Sequence, residues 1–473
     1  MTPPAETGAP ADGLLPSTRR SLLHRVAVGQ SQGRAPSLVG AVARDGRLLW
    51  SGARGTVEGS APDAHTQYRI GSITKTFTAV LVLRLRDEGL VDLADPLEKH
   101  LPGTSVGEMT LAQLLAHSAG LRAEPPGDWW ERTPGTLRPG LSDLLGDGAA
   151  LHPAGRRHHY SNPGFALLGA VVERLRGAPW REVLHREVLA PLSLDRTGYD
   201  PVAPYAGGWA VHPWADAVLP EPLHDLGAMA PAGQLWSTAA DLCRFGAFLL
   251  HGDDRVLSAD SVREMRTPSA PPEPGDWAGG YGLGTQLARH GRRTLVGHSG
   301  SLPGFVACLW THEEEGLVAV ALANATSGPA TVAIAADLVT AVADAEPRLP
   351  EPWRPMERFD RGLLELTGPW YWGTNAFGLK LVKDGGVELY PLKGAGRGSR
   401  FVPVPDGADG THAVDGTESW RGLDGYYAGE TLRVVRRPDG SVSHLDLGTF
   451  ALTRGPYEPA DAVPGGVDPE GWR

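Results

Sequence analysis

The sequence predicts an α+β protein, an antiparallel sheet flanked by helices, followed by a smaller all-β domain. Three observations predict it. Apolar residues recur at helical spacing over 72–90 and again through Phe165, Leu168, Val171, Val172 and Leu175. The runs 294–296, 305–310 and 317–322 read as consecutive strands, the last two joined by a turn at 313–316. Beyond residue 357 the pattern changes to paired short strands, 379–383 with 387–392 and 431–435 with 442–447, around Asp384-Gly385-Gly386 and Asp439-Gly440. Serial hairpins without helices point to a small antiparallel barrel.

Taken in order, residues 1–17 are rich in Pro, Ala and Gly and read as disordered, and 19–30 reads as a first helix. Asp45-Gly46 is a hairpin signal between strands 38–42 and 48–51. The helix from Ser72 follows. Thr110 can cap a short helix over 111–117, closed by Gly120. The stretch 122–155 is broken by Pro, Gly, Trp129 and Trp130, as a lid or binding loop would be. Asn162 suits a helix N-cap and Pro163 its first position, with Gly177 as the stop. A second irregular stretch, 200–233, precedes a helix capped at Ser237-Thr238, and a helix over 329–343 ends the first domain. The expected boundaries are 18–346 for this domain, 347–356 for a linker and 357–473 for the barrel.

Composition narrows the function. The 473 residues, 41% hydrophobic and 21% charged, suffice for two cores. A net charge of −11 argues against nucleic acid or an anionic membrane as partner. No run approaches the roughly 20 apolar residues that span a bilayer. Thr18-Arg19-Arg20-Ser21-Leu22-Leu23 is loosely like a twin-arginine signal, but His24, Arg25, Gln30 and Gln32 interrupt the apolar region export needs. A cytoplasmic location is the expectation. Cys243 and Cys308 lie in apolar segments and read as buried thiols.

The chemistry gathers at Ser72-x-x-Lys75. Residues three apart share a helix face, so Ser72 Oγ and the Lys75 amine can meet at the start of a helix, where free N–H groups and the dipole favour an oxyanion. Alone the motif fits a capped surface helix equally well. Yet the chain has only five lysines, Lys75, Lys99, Lys380, Lys383 and Lys393, among 44 cationic residues. Where arginine is the usual cation, a lysine hints at a group that must lose its proton. Two further motifs follow in order: Tyr160-x-Asn162 at a helix start, and His298-Ser299-Gly300 on a strand.

This ordered set resembles the serine β-lactamase and penicillin-binding-protein superfamily, above all its class C-like branch, over about residues 35–345. Leu114-Leu115-Ala116-His117-Ser118-Ala119-Gly120-Leu121 and Ala232-Gly233-Gln234-Leu235-Trp236-Ser237-Thr238 look like structural landmarks of that branch. The resemblance implies a β-lactamase/transpeptidase-like domain with a helical subdomain. It implies Ser72 as acylated nucleophile, Lys75 as base and Tyr160 as proton shuttle. Asn162 would hold Lys75 and the substrate amide, and the backbone N–H groups of Ser72 and Ser301 would form the oxyanion hole. The family's third motif is usually Lys-Thr-Gly, and His298 replaces its lysine, which disfavours substrates held by a free carboxylate. Gly300, Trp129, Trp130 and Trp236 are candidate substrate contacts, although the two loop tryptophans fit loop packing as well. No cofactor is implied.

With the barrel, lipocalin-like in its pattern, and no export signal, the chain most resembles the penicillin-binding-protein-type thioesterases, stand-alone nonribosomal peptide cyclases of the surugamide cyclase type. The implied substrate is a peptidyl chain on a carrier-protein phosphopantetheine, or a small peptidyl thioester, released as a head-to-tail ring. The alternatives are a cytoplasmic esterase or D-amino-acid amidase of the same fold, and a non-catalytic binding protein. Gly297-His298-Ser299-Gly300-Ser301 nearly matches a nucleophile elbow, but a strand follows instead of a helix. His158-His159 has no carboxylate or cysteine at ligand spacing and reads as loop histidines. The loop 122–155 and the barrel are the expected cover that keeps water from the acyl-enzyme. Arg454, near the last strand, reads as a solvated arginine or a pocket cation.

Overall fold

The run 317–322, apolar at every position, becomes the strand Leu317–Ala323, buried along its whole length as a strand covered on both faces must be. It pairs antiparallel with Ser37–Arg44 on one side and Phe305–His312 on the other. Among the described residues the sheet has seven strands in the order Arg47–Gly55, Ser37–Arg44, Leu317–Ala323, Phe305–His312, Arg293–Leu302, Gln286–His290, Gly279–Tyr281. The structure, a computed structural model, describes residues 13–133, 140–271, 279–394, 396–404, 418–458, 461–463 and 466. The chain divides into two compact units, Met1–Leu349 and Pro350–Arg473.

Helices cover both faces of the sheet. On one, Leu22 and Val26 of Pro16–Gln32 and Ile334 and Leu338 of Thr331–Ala345 pack with Val42, Cys308 and Ala319. On the other, Leu242 and Phe245 of Ala239–His251 pack with Leu309, Val318 and Val320. Phe245 stacks on Phe77 with ring centroids 3.7 Å apart and planes within 8°. Through that stack the helix Thr74–Asp87 forms a further layer. Its residues are buried continuously from Thr74 to Leu83, which is why its apolar pattern runs around the whole helix. The threonines on it are satisfied locally, Thr76 donating to Gly284 O at 2.9 Å and Thr78 to Pro231 O at 2.8 Å.

Several expected boundaries move. The first helix begins at Pro16, inside the stretch expected to be disordered, because Pro at the first helical position is already preset for it; residues 1–12 of that stretch lie outside the described residues. The helix capped by Thr110 stops at Leu115, with Thr110 and Gln113 forming a reciprocal capping box. His117 then takes a left-handed conformation, φ 53°. Asn162 is not the cap of its helix: Ser161 Oγ accepts the Gly164 N–H at 3.2 Å, which places Asn162 at the first helical position. Both cysteines are free and buried. Among the described residues no helix is long and apolar enough to cross a membrane.

The second unit is an eight-stranded antiparallel meander in chain order, from Gly368–Trp372 to Phe450–Leu452. Tyr371 and Thr453 exchange N–H···O bonds of 2.8 and 2.9 Å, so the first and last strands meet and the barrel is nearly closed. Its inward side chains, among them Trp370, Phe401, Trp420, Leu432 and Leu445, form one apolar cluster. Arg454 is exposed, as a solvated arginine would be, and it is also tied to its own unit. Its guanidinium lies 3.9 Å over the Trp370 ring and donates to the carbonyls of Glu365, Thr367 and Pro369, stapling the barrel's own rim.

Two glycines let the third motif touch the serine turn. A Cβ on Gly300 would fall 1.9 Å from Ile70 O, and one on Gly71, at φ +51°, would fall 2.7 Å from Ser301 N. The strand Arg293–Leu302 therefore lies against the backbone of residues 70–72. Gly300→Ala should push the two apart, costing about 1–3 kcal/mol in denaturant unfolding. An unchanged midpoint would mean that the contact is not as close as drawn.

Candidate active site

Ser72 lies in the 3-10 turn Gly71–Ile73, which runs straight into Thr74–Asp87, so Lys75 is one turn on and on the same face. Lys75 is fully buried. Its Nζ makes three contacts: Asn162 Oδ1 at 2.6 Å, Ala232 O at 2.7 Å and Ser72 Oγ at 3.1 Å. The first two partners can only accept. A neutral amine has two N–H bonds and one lone pair. If its N–H bonds go to the two carbonyls, the lone pair is left for the Ser72 hydroxyl proton. Burial makes this form accessible, because desolvation brings the Lys75 pKa down to about 7 against the opposing pull of Glu124 and Glu131.

Tyr160 places its ring 4.9 Å from Lys75 Nζ. Its hydroxyl is buried without a well-formed hydrogen bond, although Ser72 lies near enough to favour the phenolate. Desolvation outweighs that help and raises the phenol pKa, so Tyr160 is a protonated phenol at neutral pH. Of the two groups, Lys75 is therefore the one that can stand unprotonated near neutral pH, and Tyr160 the one that keeps its proton.

His298 is buried. Its Nδ1 is 2.5 Å from Ser299 O, a carbonyl that can only accept, so Nδ1 carries the proton and Nε2 accepts from the Tyr281 hydroxyl at 2.9 Å. Burial first, and then the charge of Lys75, lower its pKa to about 3. The imidazole is uncharged at physiological pH. Gly300 and Ser301 continue this strand along a cleft of about 490 Å³ that Ser72, Tyr160, His298 and Gln286 also line. Gln286 holds the strand in place, accepting from Ser299 N–H at 2.9 Å and Ser299 Oγ–H at 3.1 Å. The close approach at Gly71 and Gly300 brings the N–H groups of Ser72 and Ser301 to the same end of the cleft.

The three tryptophans are placed away from this cleft. Trp236 is buried in the core against Phe305 and Tyr205, since its two-residue strand pairs with Tyr68–Arg69 behind the serine turn. Trp129 is exposed and donates to Glu131 at 2.8 Å, with Arg132 over its ring. Trp130 donates to Glu124 Oε2 at 2.7 Å. His159 is bound to Leu121 O, and among the described residues no group of three or more His, Cys, Asp or Glu is gathered as for a metal ion. Residues 134–139 of the loop lie outside the described residues.

Three further residues at the site were not picked out as site residues from the sequence. Glu124 accepts from Asn162 Nδ2 at 2.8 Å. Tyr281 meets His298, as above. His117 is buried with its ring 4.1 Å from that of Tyr160, and its Nδ1 accepts the Ser161 N–H at 3.1 Å. His117 lay within a stretch read as the end of a helix and Glu124 within the loop 122–155, and neither was singled out there as a site residue.

Below about pH 7 Lys75 is an ammonium, all of its N–H bonds are donors and no lone pair faces Ser72. Acylation of Ser72 by an activated ester should therefore rise with pH and level off above about 7, with a limb of unit slope. A rate independent of pH from about 5 to 9 would remove Lys75 as the base.

Residues 22–344 match the family model described as Beta-lactamase, and residues 359–454 match a Domain of unknown function (DUF7586). Putative beta-lactamase-like 1 of Homo sapiens is 31% identical over 330 residues, 63% of this chain and 65% of that protein. Beta-lactamase-like protein 2 of Dictyostelium discoideum is 29% identical over 262 residues, 51% of this chain and 47% of that protein. The chain thus spans about half to two thirds of the length of these relatives. Among solved structures, SurE is 27% identical with a TM-score of 0.57, covering 93% of this chain and 99% of its own. A D-stereospecific amidohydrolase from Streptomyces sp. is 26% identical with a TM-score of 0.52, covering 66% and 95%. A penicillin-binding protein homologue from Pyrococcus abyssi shares the fold at 22% identity, TM-score 0.60, over 92% and 99%. With the family model matching residues 22–344, the chain belongs to the beta-lactamase family, within the serine β-lactamase and penicillin-binding-protein superfamily.

Proposed function

We propose that this chain is a trans-acting peptidyl thioesterase that releases its product as a head-to-tail cyclic peptide. The observation that carries the reading is His298. Where the family commonly has an ammonium for a substrate carboxylate, this chain has an uncharged imidazole already committed to Tyr281 and Ser299. A peptidyl thioester has no carboxylate at its reacting end and loses nothing by the exchange. Likeness to SurE, a surugamide cyclase, over 93% of the chain supports the same class. The substrate would be a peptide on a carrier-protein phosphopantetheine, met in the cytoplasm.

The residues perform the reaction in two halves. Ser72 Oγ attacks the thioester carbonyl while Lys75 takes the hydroxyl proton, and the oxyanion forms against the N–H groups of Ser72 and Ser301. The C–S bond breaks, and the thiolate leaves with a proton from Tyr160 or as the anion. The peptide's own N-terminal amine then attacks the Ser72 ester. Its proton passes to Tyr160 or Lys75, the C–N bond forms, and Ser72 Oγ leaves and regains a proton. Cyclisation and hydrolysis differ only in whether an amine or water attacks the ester.

A second reading rests on the Streptomyces amidohydrolase, whose D-stereospecificity suits the same centre acting as a hydrolase. A peptidyl N-acetylcysteamine thioester ending in a D-residue separates the two. Cyclic product by mass supports the cyclase; linear acid alone would favour the hydrolase. Ser72→Ala should abolish both products, and Lys75→Arg should lower turnover by about a thousandfold or more, because arginine keeps its proton. Substantial activity in Lys75→Arg would overturn the assignment of the base.

A further inference from the structure

We propose that Glu124 is a positioning residue for the base: it fixes the Asn162 amide so that Oδ1 faces Lys75, and it holds a negative charge beside that lysine. The inference rests on Lys75 activating Ser72 and not on which acyl chain Ser72 carries.

The argument begins with what each group can donate. Both oxygens of Glu124 are occupied, Oε1 by Asn162 Nδ2–H at 2.8 Å and Oε2 by Trp130 Nε1–H at 2.7 Å. A carboxylate only accepts, so the end of the Asn162 amide that meets it must be the NH₂. The carbonyl end then turns to Lys75 Nζ, 2.6 Å away. With the amide reversed, N–H would face N–H at the lysine and a carbonyl would face a carboxylate at Glu124. The relay Trp130–Glu124–Asn162–Lys75 thus has one consistent orientation. That orientation occupies an N–H of Lys75 and leaves its lone pair for Ser72.

The charge acts alongside the geometry. The titratable groups facing Lys75 are Glu124 and Glu131 from the loop, Tyr160 and His117 beside it, and His298 from the sheet. Burial keeps His117 and His298 neutral and Tyr160 protonated. Among the described residues, the two glutamates are the groups that oppose the loss of the lysine's proton. Glu131 is bound to the exposed Trp129, whereas Glu124 is tied directly to the lysine's own partner.

The test uses the full chain and 4-nitrophenyl acetate, following nitrophenol release against pH in wild type, Glu124→Gln and Glu124→Asp. Loss of the signal in Ser72→Ala assigns it to Ser72 independently of the comparison among Glu124 variants. In Glu124→Gln the plateau should fall about tenfold, as for loss of a charge-assisted hydrogen bond. Its acid limb should move to lower pH by at least about 0.5 unit, because a charge favouring the ammonium is gone. Glu124→Asp retains the charge and should keep the limb at the wild-type position, a separation that simple loss of structure would not produce. A Glu124→Gln limb that superimposes on wild type, or moves to higher pH, overturns the proposal.

Discussion

A single buried amine sets the terms for the first unit. Taking Lys75 from a pKa of 10.5 to about 7 is equivalent to roughly 5 kcal/mol of disfavour for its ammonium. The sign follows from proton counting: between those values the unfolded chain binds the proton and the folded chain does not. Stability on this account rises with pH across that window. Such a cost is tolerable only where every contact of the group is specified. Ala232 O, Asn162 Oδ1 and Ser72 Oγ supply that specification from three different segments. The short helix Ala230–Gly233 and the helix Asn162–Arg176 must both pack on Thr74–Asp87 for the site to exist. The rest of the fold can be read as the scaffold that brings these carbonyls to one amine.

The sheet contributes from the other side, and glycine is what admits it. At Gly300 a side chain would occupy the space of Ile70 O, and at Gly71 it would meet the Ser301 amide. The two candidate oxyanion donors therefore belong to backbone segments with nothing between them, one on a helix start and one on a strand. That arrangement suits a site that must stabilise negative charge without rearranging, since neither donor depends on a rotamer.

Much of this was legible from spacing. Ser72 and Lys75 are three apart, and three apart on a helix start is a geometric statement before it is a motif. The central strands announced themselves as unbroken apolar runs, and the barrel as hairpins around Asp-Gly turns. What spacing could not give was pairing across the chain. Trp236 lay in a stretch that resembled a landmark of the branch, but the side of the serine turn it fills depends on its strand partner Arg69, 167 positions earlier in the chain. Glu124 is one acidic residue in a Pro-rich loop, and nothing local distinguishes it from Glu131. Arg454 is exposed as read, but its partners could not be foreseen because they are backbone carbonyls, which every residue has. The one-residue shift of the helix cap from Asn162 to Ser161 has the largest consequence: a capping Asn162 would have turned its Oδ1 back to its own helix, whereas with Ser161 as the cap Oδ1 reaches Lys75.

Once the desolvated groups are assigned their protons, the electrostatics of the centre become simple. His117, His298 and Tyr160 are three titratable rings within reach of Lys75, and burial makes all of them uncharged at neutral pH. None can act there as a fixed charge for substrate, and Lys75 is left as the candidate base among them. Replacing a lysine by His298 on the strand therefore does more than weaken a carboxylate site. An ammonium there would oppose the protonation of Lys75 and drive its pKa lower still. The neutral imidazole removes that repulsion, and the acidic loop residues supply the remaining field. In a reaction whose nucleophile for the second half is itself an amine, a base titrating near neutrality can accept the proton from serine in one half and from the incoming ammonium in the other. A centre with a second fixed cation would do the first well and repel the second.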